Sequence, residues 1–318
     1  MEQTINRIAH FNPDTPELYS LYGSLFNEKG QYQKAVEALT QSIQVNKNDV
    51  EAHRRLAWAY ANLHQVDHAK AVFEQTLLLA PHDVTVKLNL GLFYKEQGEY
   101  KKAIEVFRHI LEIVPNHKFA VQNMANCYFW LGEIDKAITY TQQAIQINPT
   151  ANSYSALGAM LFSKLEYKRA ADAFEHAIAL NDQSYINWGN LGDAYRFAQI
   201  SQSEQAYREA IKLAEHALAI NPNNGLTVSA IAYYLACIGD RERAIHYARK
   251  ITPEHSGAYH YYVATAYATI DYAPEAIEHL TIAVDKNFPR EEILTTPILA
   301  NLRKEPEFQT FLRDLEQK

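Results

Sequence analysis

Two ladders of small residues, repeating about every 34 positions, constrain this chain more than any other feature. The first runs Gly23, Ala57, Gly91, Ala125, Gly158, Gly192, Ala232 and Ala264. The second runs Ala35, Ala69, Ala103, Ala137, Ala170, Ala210, Ala244 and Ala276. An aromatic or a leucine follows three residues after each member of the first ladder: Phe26, Tyr60, Tyr94, Tyr128, Leu161, Tyr195, Leu235 and Tyr267. Pro81, Pro115, Pro149 and Pro222 close four of the units in register, where a helix cannot continue. A fixed period of this length predicts stacked two-helix units, because one such unit cannot bury its own apolar face.

The chemistry of the ladders explains their spacing. In each unit a first helix, A, and a second helix, B, pack as a hairpin. Glycine or alanine on A lets B approach, and the alanine on B meets that contact from the other side. The aromatic on A fills the space one turn further on. Glycine and proline, at 11 each, are scarce enough for a helical chain, and 47% apolar residues suffice to fill a core.

The third unit carries the fullest pattern: Leu90, Gly91, Tyr94, Ala103, Phe107 and Pro115. Across residues 16–289 the chain resembles the tetratricopeptide repeat family, whose first-position tryptophan survives only as Trp188. The resemblance implies an all-α fold, an α-α superhelix of eight helix-turn-helix repeats over 16–49, 50–83, 84–117, 118–150, 151–184, 185–224, 225–256 and 257–289. Residues 290–318 read as C-terminal capping helices, with Pro297 and Pro306 at helix starts. There Ile298, Leu299, Leu302, Phe308, Phe311, Leu312 and Leu315 face inward, and Arg303, Lys304, Arg313, Asp314 and Glu316 stay wet. Residues 1–15 read as a partial repeat or a capping helix, since Ile5, Ile8 and Pro13 have the spacing of the end of helix B. A chain starting inside a repeat suggests a cut from a longer protein, and leaves Ile5 and Ile8 open to self-association.

The sixth repeat is longer than the others. Six extra residues lie between Gly192 and Ala210. Ser201 and Glu204 read as a capping box opening its helix B, which continues through Tyr207, Ile211, Ala214 and Leu218. Three stretches, Trp188 to Arg196, Ala206 to Glu215 and Pro297 to Phe308, also look like the C-terminal repeat regions of multidomain bacterial signalling proteins. There the array follows a kinase, a cyclase or a DNA-binding domain, and none of those parts is present here.

The family resemblance places a partner on the concave face, lined by A helices. Asn89, Asn123 and Asn190 each precede the Leu-Gly position of their repeat, and Asn126 lies one turn beyond Asn123. Such amides donate and accept at once and could pair with a partner's backbone. The family's glycosyltransferase branch uses an asparagine ladder this way, but Leu21, Arg55 and Ala156 interrupt it here. Arg54, Trp58, Lys95, Phe129, Phe162, Arg196, Tyr233 and Tyr261 are the aromatic and charged groove candidates, of the residue types that anchor interfaces. Phe129 and Phe162 are expected to be the most buried of these, and Trp58 and Arg196 the best targets for mutation. The carboxylate clamp of the co-chaperone branch does not carry over, because Ser20 and Ser24 stand at its places in the first repeat.

Composition and motifs narrow the function further. A net charge of −7 with no dense basic run argues against a nucleic-acid partner. The two cysteines, Cys127 and Cys237, form no paired motif and read as small buried hydrophobes. No stretch is apolar for long enough to span a bilayer, and no leader opens the sequence. Cytoplasmic location is expected, or periplasmic if a membrane-anchored parent exists. No phosphate loop or nucleophile elbow occurs. His64 and His68 have a metal-compatible spacing without a third ligand. The sequence therefore reads as a non-enzymatic scaffold without cofactor or metal that binds a protein or peptide, or else as the regulatory arm of a larger signalling protein.

Overall fold

The structure, a computed structural model, describes residues 15–317, and those residues are helical throughout without a strand. The expected partial repeat at 1–15 lies outside them apart from Thr15. The chain divides into two compact units between Asn148 and Pro149. The first holds four hairpins: α1 (Pro16–Glu28) with α2 (Tyr32–Val45), α3 (Val50–Asn62) with α4 (Val66–Leu79), α5 (Val84–Glu96) with α6 (Tyr100–Ile113), and α7 (Lys118–Trp130) with α8 (Ile134–Ile147). The second begins with α9 (Ala151–Ser163) and α10 (Tyr167–Leu180), then α11 (Tyr185–Phe197) and α12 (Ser203–Ile220). It continues with α13 (Gly225–Cys237), α14 (Arg241–Ala248), α15 (Gly257–Thr269) and α16 (Ala273–Asp285), and closes with α17 (Arg290–Thr295) and α18 (Pro306–Gln317).

Seven of the eight A helices start on side-chain caps, and α15, preceded by Ser256, does not. Asp49 accepts from Ala52 N at 2.9 Å, Asp83 from Thr85 N at 2.7 Å, and Thr150 from Ser153 N at 3.1 Å. Each such bond satisfies an amide that the helix itself leaves free. The A helices end in a tight left-handed turn. Residues Gly30, Gly98, Gly132 and Gly239 take positive φ there, but so do His64, Leu165, Gln199 and Asp271. Two residues from the helix end, the chain folds back: Glu99 N donates to Tyr94 O, and Glu166 N to Leu161 O, each at 2.9 Å. This is the Schellman closure, and it seats the carbonyl of the recurring aromatic or leucine. Helix B therefore starts without a side-chain cap in the first five hairpins.

The ladder of small residues marks close approach. A Cβ on Gly91 would stand 2.5 Å from the Phe107 ring, and one on Gly158 2.7 Å from the Phe174 ring. Phe73, Phe107 and Phe174 are accordingly sealed between the two helices of their hairpins.

The sixth hairpin spends its extra residues differently from the sequence reading. Four of them extend the start of α12 and the rest lengthen the turn. The capping box does not form: α12 begins at Ser203 with Gln202 before it and no side-chain cap, and Ser201 Oγ donates to Gln202 Oε1 instead. The longer turn leaves Ser201 a residue too early. Tyr207, Ile211 and Ala214 are buried as expected.

The seventh hairpin breaks the pattern outright. Helix α14 stops after 8 residues, and an irregular connection over 249–256 replaces its last turns. With B so short, α13 packs along α15, A helix on A helix. Ala230, Ala232, Ala236, Ala264, Ala266 and Ala268 are all buried, and their small side chains permit that contact.

The C-terminal segment carries the expected apolar residues but not the expected first helix. Two short 3-10 turns, Pro297–Leu299 and Leu302–Lys304, stand in its place after α17. Ile293, Leu299, Leu302, Phe308 and Leu315 enter the core. Arg303 is not free in water: its Nη2 donates to Leu294 O at 2.6 Å and closes the end of α17.

Candidate partner-binding face

In the first unit α7 keeps an exposed face, and the corresponding faces of α3 and α5 are half-buried. On α3, Arg54 and Arg55 share Glu51: Arg54 Nε lies 2.7 Å from Oε2 and Arg55 Nε 2.5 Å from Oε1. Burial alone would raise the Glu51 carboxyl, but hydrogen bonds from both guanidiniums outweigh it and hold the carboxyl below its ordinary range. Two cations against one carboxylate leave this patch positive. Trp58, half-buried, sets its edge on Phe73 with centroids 5.6 Å apart.

On α5, Lys95 reaches across to α7 and donates to Asn123 Oδ1 at 2.8 Å, while Asn123 Nδ2 donates to Phe119 O at 2.8 Å. Asn123 is thus committed within the protein. Asn89 is buried, and its Nδ2 has no hydrogen-bond partner. Asn126 is exposed and Asn190, in the second unit, is half-buried. The four asparagines therefore do not form a uniform row.

The open stripe of α7 runs Phe119, Gln122, Asn126, Phe129 and Trp130. Phe129 is 41% exposed and Trp130 65%. This corrects the expectation that Phe129 is buried. The spacing of Phe119 and Trp130 returns to the same side of a helix after three turns. Trp130 lies parallel to Tyr100 at 6.5 Å, and Phe129 meets Trp130 edge-on at 5.6 Å. Sequence reading missed Trp130; its signal is an aromatic in the last turn of helix A, where most of the other repeats carry a polar residue.

On α13 and α15 of the second unit the matching positions are closed, whereas Ala159 on α9 is exposed. Tyr233 is 2% exposed and Tyr261 5%, so neither offers a ring to a partner. Tyr261 stacks on Phe288 at 4.4 Å. Tyr233 and Tyr207 both donate to Asp193 Oδ1, the latter at 2.6 Å. Burial pushes the Asp193 carboxyl up to about 6, against the opposing pull of the two phenols and Arg196. Arg196 is half-buried beside this cluster, its Nη1 3.5 Å from Cys237 Sγ. It is a wall of the Asp193 cluster as much as a surface cation. Phe162 is half-buried between Tyr167 and Phe197. The buried carboxylate was legible only as an acid wedged between Gly192 and Ala194.

The remaining candidates are structural in geometry. His64 occupies a left-handed turn position, and His68 stacks on Tyr60 at 5.2 Å. Burial pushes the Cys127 thiol up to about 11 and the Cys237 thiol to about 12, so neither is a ready nucleophile. Among the described residues no group of three or more His, Cys, Asp or Glu could hold a metal ion, and no helix is long and apolar enough to cross a membrane.

Residues 23–63 match the tetratricopeptide (TPR) repeat family, and residues 53–181 match the middle TPR-like domain of cilia and flagella-associated protein 70. The chain carries tetratricopeptide repeats. Solved structures with the same fold agree. The C-terminal part of a TPR repeat-containing protein from Cytophaga hutchinsonii is 17% identical, covers 82% of this chain and 99% of its own, with a TM-score of 0.60. A tetratricopeptide repeat protein from Parabacteroides merdae is 15% identical over 80% of this chain and 99% of its own, with a TM-score of 0.58. The APC/C hetero-tetramer Cut9-Hcn1 is 18% identical over 88% of this chain and 51% of that one, with a TM-score of 0.52. No curated protein matches the chain. Tetratricopeptide repeats typically mediate protein–protein interaction, and families of this kind are generally scaffolds without catalysis.

Proposed function

We propose that this tetratricopeptide array is a protein-interaction scaffold that holds a partner segment on the A-helix face of residues 50–130. The observation that carries the reading is the open stripe on α7, with aromatics at both ends and amides between. It lies beside the Lys95–Asn123 bridge to α5, and α3 adds Arg54, Arg55 and Trp58. Aromatic and Arg side chains of this kind supply most of the energy of an interface. The face is preformed on packed helices, so little backbone ordering is lost on the scaffold side. Its cations stand out in a chain of net charge −7 and favour a partner segment with acidic residues beside apolar ones.

The test is hydrogen exchange of the chain with a partner retained from source cells. New protection is expected over 50–62, 84–96 and 118–130, and it is expected to vanish with Trp58→Ala and Phe129→Ala together. Protection confined to 225–285 would refute the assignment. A second reading, the regulatory arm of a larger signalling protein, rests on the signalling-like stretches at 188–196, 206–215 and 297–308. The size of the native product, compared with 36.3 kDa, tests it.

A further inference from the structure

In the last complete hairpin, two histidines meet ring to ring. His260 on α15 is fully buried, and its Nδ1 lies 2.9 Å from Nδ1 of His279 on α16. The other nitrogen of His260, Nε2, lies 3.2 Å from the carbonyl oxygen of Thr252. That oxygen can only accept, so Nε2 carries the proton. In the neutral ring Nδ1 must then accept, and His279 Nδ1–H donates to it. Thr252 is gripped from its other side as well: its backbone N–H donates to His255 Nδ1 at 3.0 Å. All these bonds are satisfied with every imidazole neutral. Thr252 lies in the irregular connection that replaces the end of α14, and its bond to His260 ties that connection to the hairpin.

We propose that His260 and His279 form a proton-sensitive clasp that pins the 249–256 connection to the α15–α16 hairpin and releases it under mild acid. A first added proton places a charge between packed helices. A second sets Nδ1–H against Nδ1–H. The surroundings offer the charge little help. Lys286, just beyond α16, and His255 on the connection both oppose a positive His260. Tyr267 on α15 lays its ring 5.6 Å from His279, and Arg249, Glu275 and Glu278 act on its hydroxyl. Glu254, the carboxylate of the connection, is engaged by Thr252 and by the charges of His255 and Lys286.

Burial, with His260 alongside, depresses His279 to about 4, and burial also lowers His260 despite its bond to Thr252. A depressed histidine contributes stability that is complete above its unfolded value of about 6.5 and is lost as pH falls towards the folded value. The release window is therefore about pH 6.5 down to about 4. Its sign is opposite to that of Asp193, whose raised carboxyl favours the folded state as pH falls.

Amide hydrogen exchange of the full chain, corrected for intrinsic rates, reads the clasp directly. Between about pH 7 and about pH 4 the opening constant over 249–285 is expected to rise on the order of 100-fold, with peptides from 50–130 as the internal control. In His279→Gln the side-chain amide can still donate to His260 Nδ1 but cannot titrate, and the rise is expected to shrink to roughly 10-fold or less. A flat profile in the wild type, or an undiminished rise in the variant, overturns the proposal. Should the variant not fold, ring titration of the wild type decides: a His279 midpoint below about 5 supports the clasp, and one near 6.5 refutes it.

Discussion

The A helices of residues 50–130 and those of residues 225–269 descend from one repeat pattern but meet solvent in opposite ways. Helix α3 buries five of its 13 residues and α7 seven, whereas α13 buries eleven of 13 and α15 nine. The cause is local. Truncation of α14 lets α13 lie directly on α15, and the alanines at 230, 232, 236, 264, 266 and 268 make that contact close. A helix that is apolar on all sides belongs to a core, and one with a polar stripe belongs to a surface. A repeat array can therefore keep an exposed face in one stretch and bury it in another without leaving its fold.

Substitutions at matched places sharpen this contrast. The largest effect is expected in the shared core. Phe107→Ala removes a ring sealed against Gly91 and should cost about 3–5 kcal/mol, read as a lowered midpoint in chemical denaturation. Next comes Asp193→Asn. The buried carboxyl has its pKa raised to about 6 from 3.8, so its folded state is favoured below 3.8 and loses that advantage as pH rises through 6. The amide keeps the Oδ1 acceptor for Tyr207 and Tyr233. Above about pH 6 the variant should therefore be more stable than the wild type by roughly 2–3 kcal/mol, and the difference should vanish near pH 4. Equal stability of the two proteins at pH 8 would contradict the assignment.

A third pair tests the open and closed faces directly. Thr265 and Asn126 hold the same place in their A helices, but Thr265 is 1% exposed and Asn126 lies open. Thr265→Leu should cost about 1–3 kcal/mol by overpacking, and Asn126→Leu no more than about 0.5 kcal/mol. The smallest effect is at the turns. Leu165 takes φ 62°, so Leu165→Gly should gain up to about 1 kcal/mol, and Gly98→Ala, at φ 74°, should lose about 1 kcal/mol. Thermal melts of the paired variants check both.

The repeat itself was legible because close helix approach demands small residues at fixed places, as Gly91 against Phe107 shows. The open face was only partly legible. Asn126 is exposed and Trp58 half-buried, yet Tyr233 and Tyr261 share their type of register position and are buried. Periodicity gives the side of a helix on which a residue lies, but not what packs there. That depended on the length of α14, which ends at Ala248, and its mark in the sequence is Pro253, three positions earlier in its repeat than Pro81, Pro115, Pro149 and Pro222. Ser201 failed as a cap for a related reason: turn geometry, rather than the Ser-to-Glu spacing, set where α12 begins. The clasp was invisible because His260 and His279 lie 19 residues apart, on a spacing that no helix or metal motif uses.

Thiol labelling at matched positions tests the central claim most directly. With Cys127 and Cys237 replaced by alanine, Asn126→Cys and Thr265→Cys are each exposed to a maleimide under native conditions. The open-face account predicts that position 126 reacts at close to the rate of an unfolded thiol, and that position 265 reacts at least about 100-fold more slowly until the fold is opened. Comparable rates at the two positions would mean that the face of α15 is as open as that of α7, and the distinction between the two regions would fall.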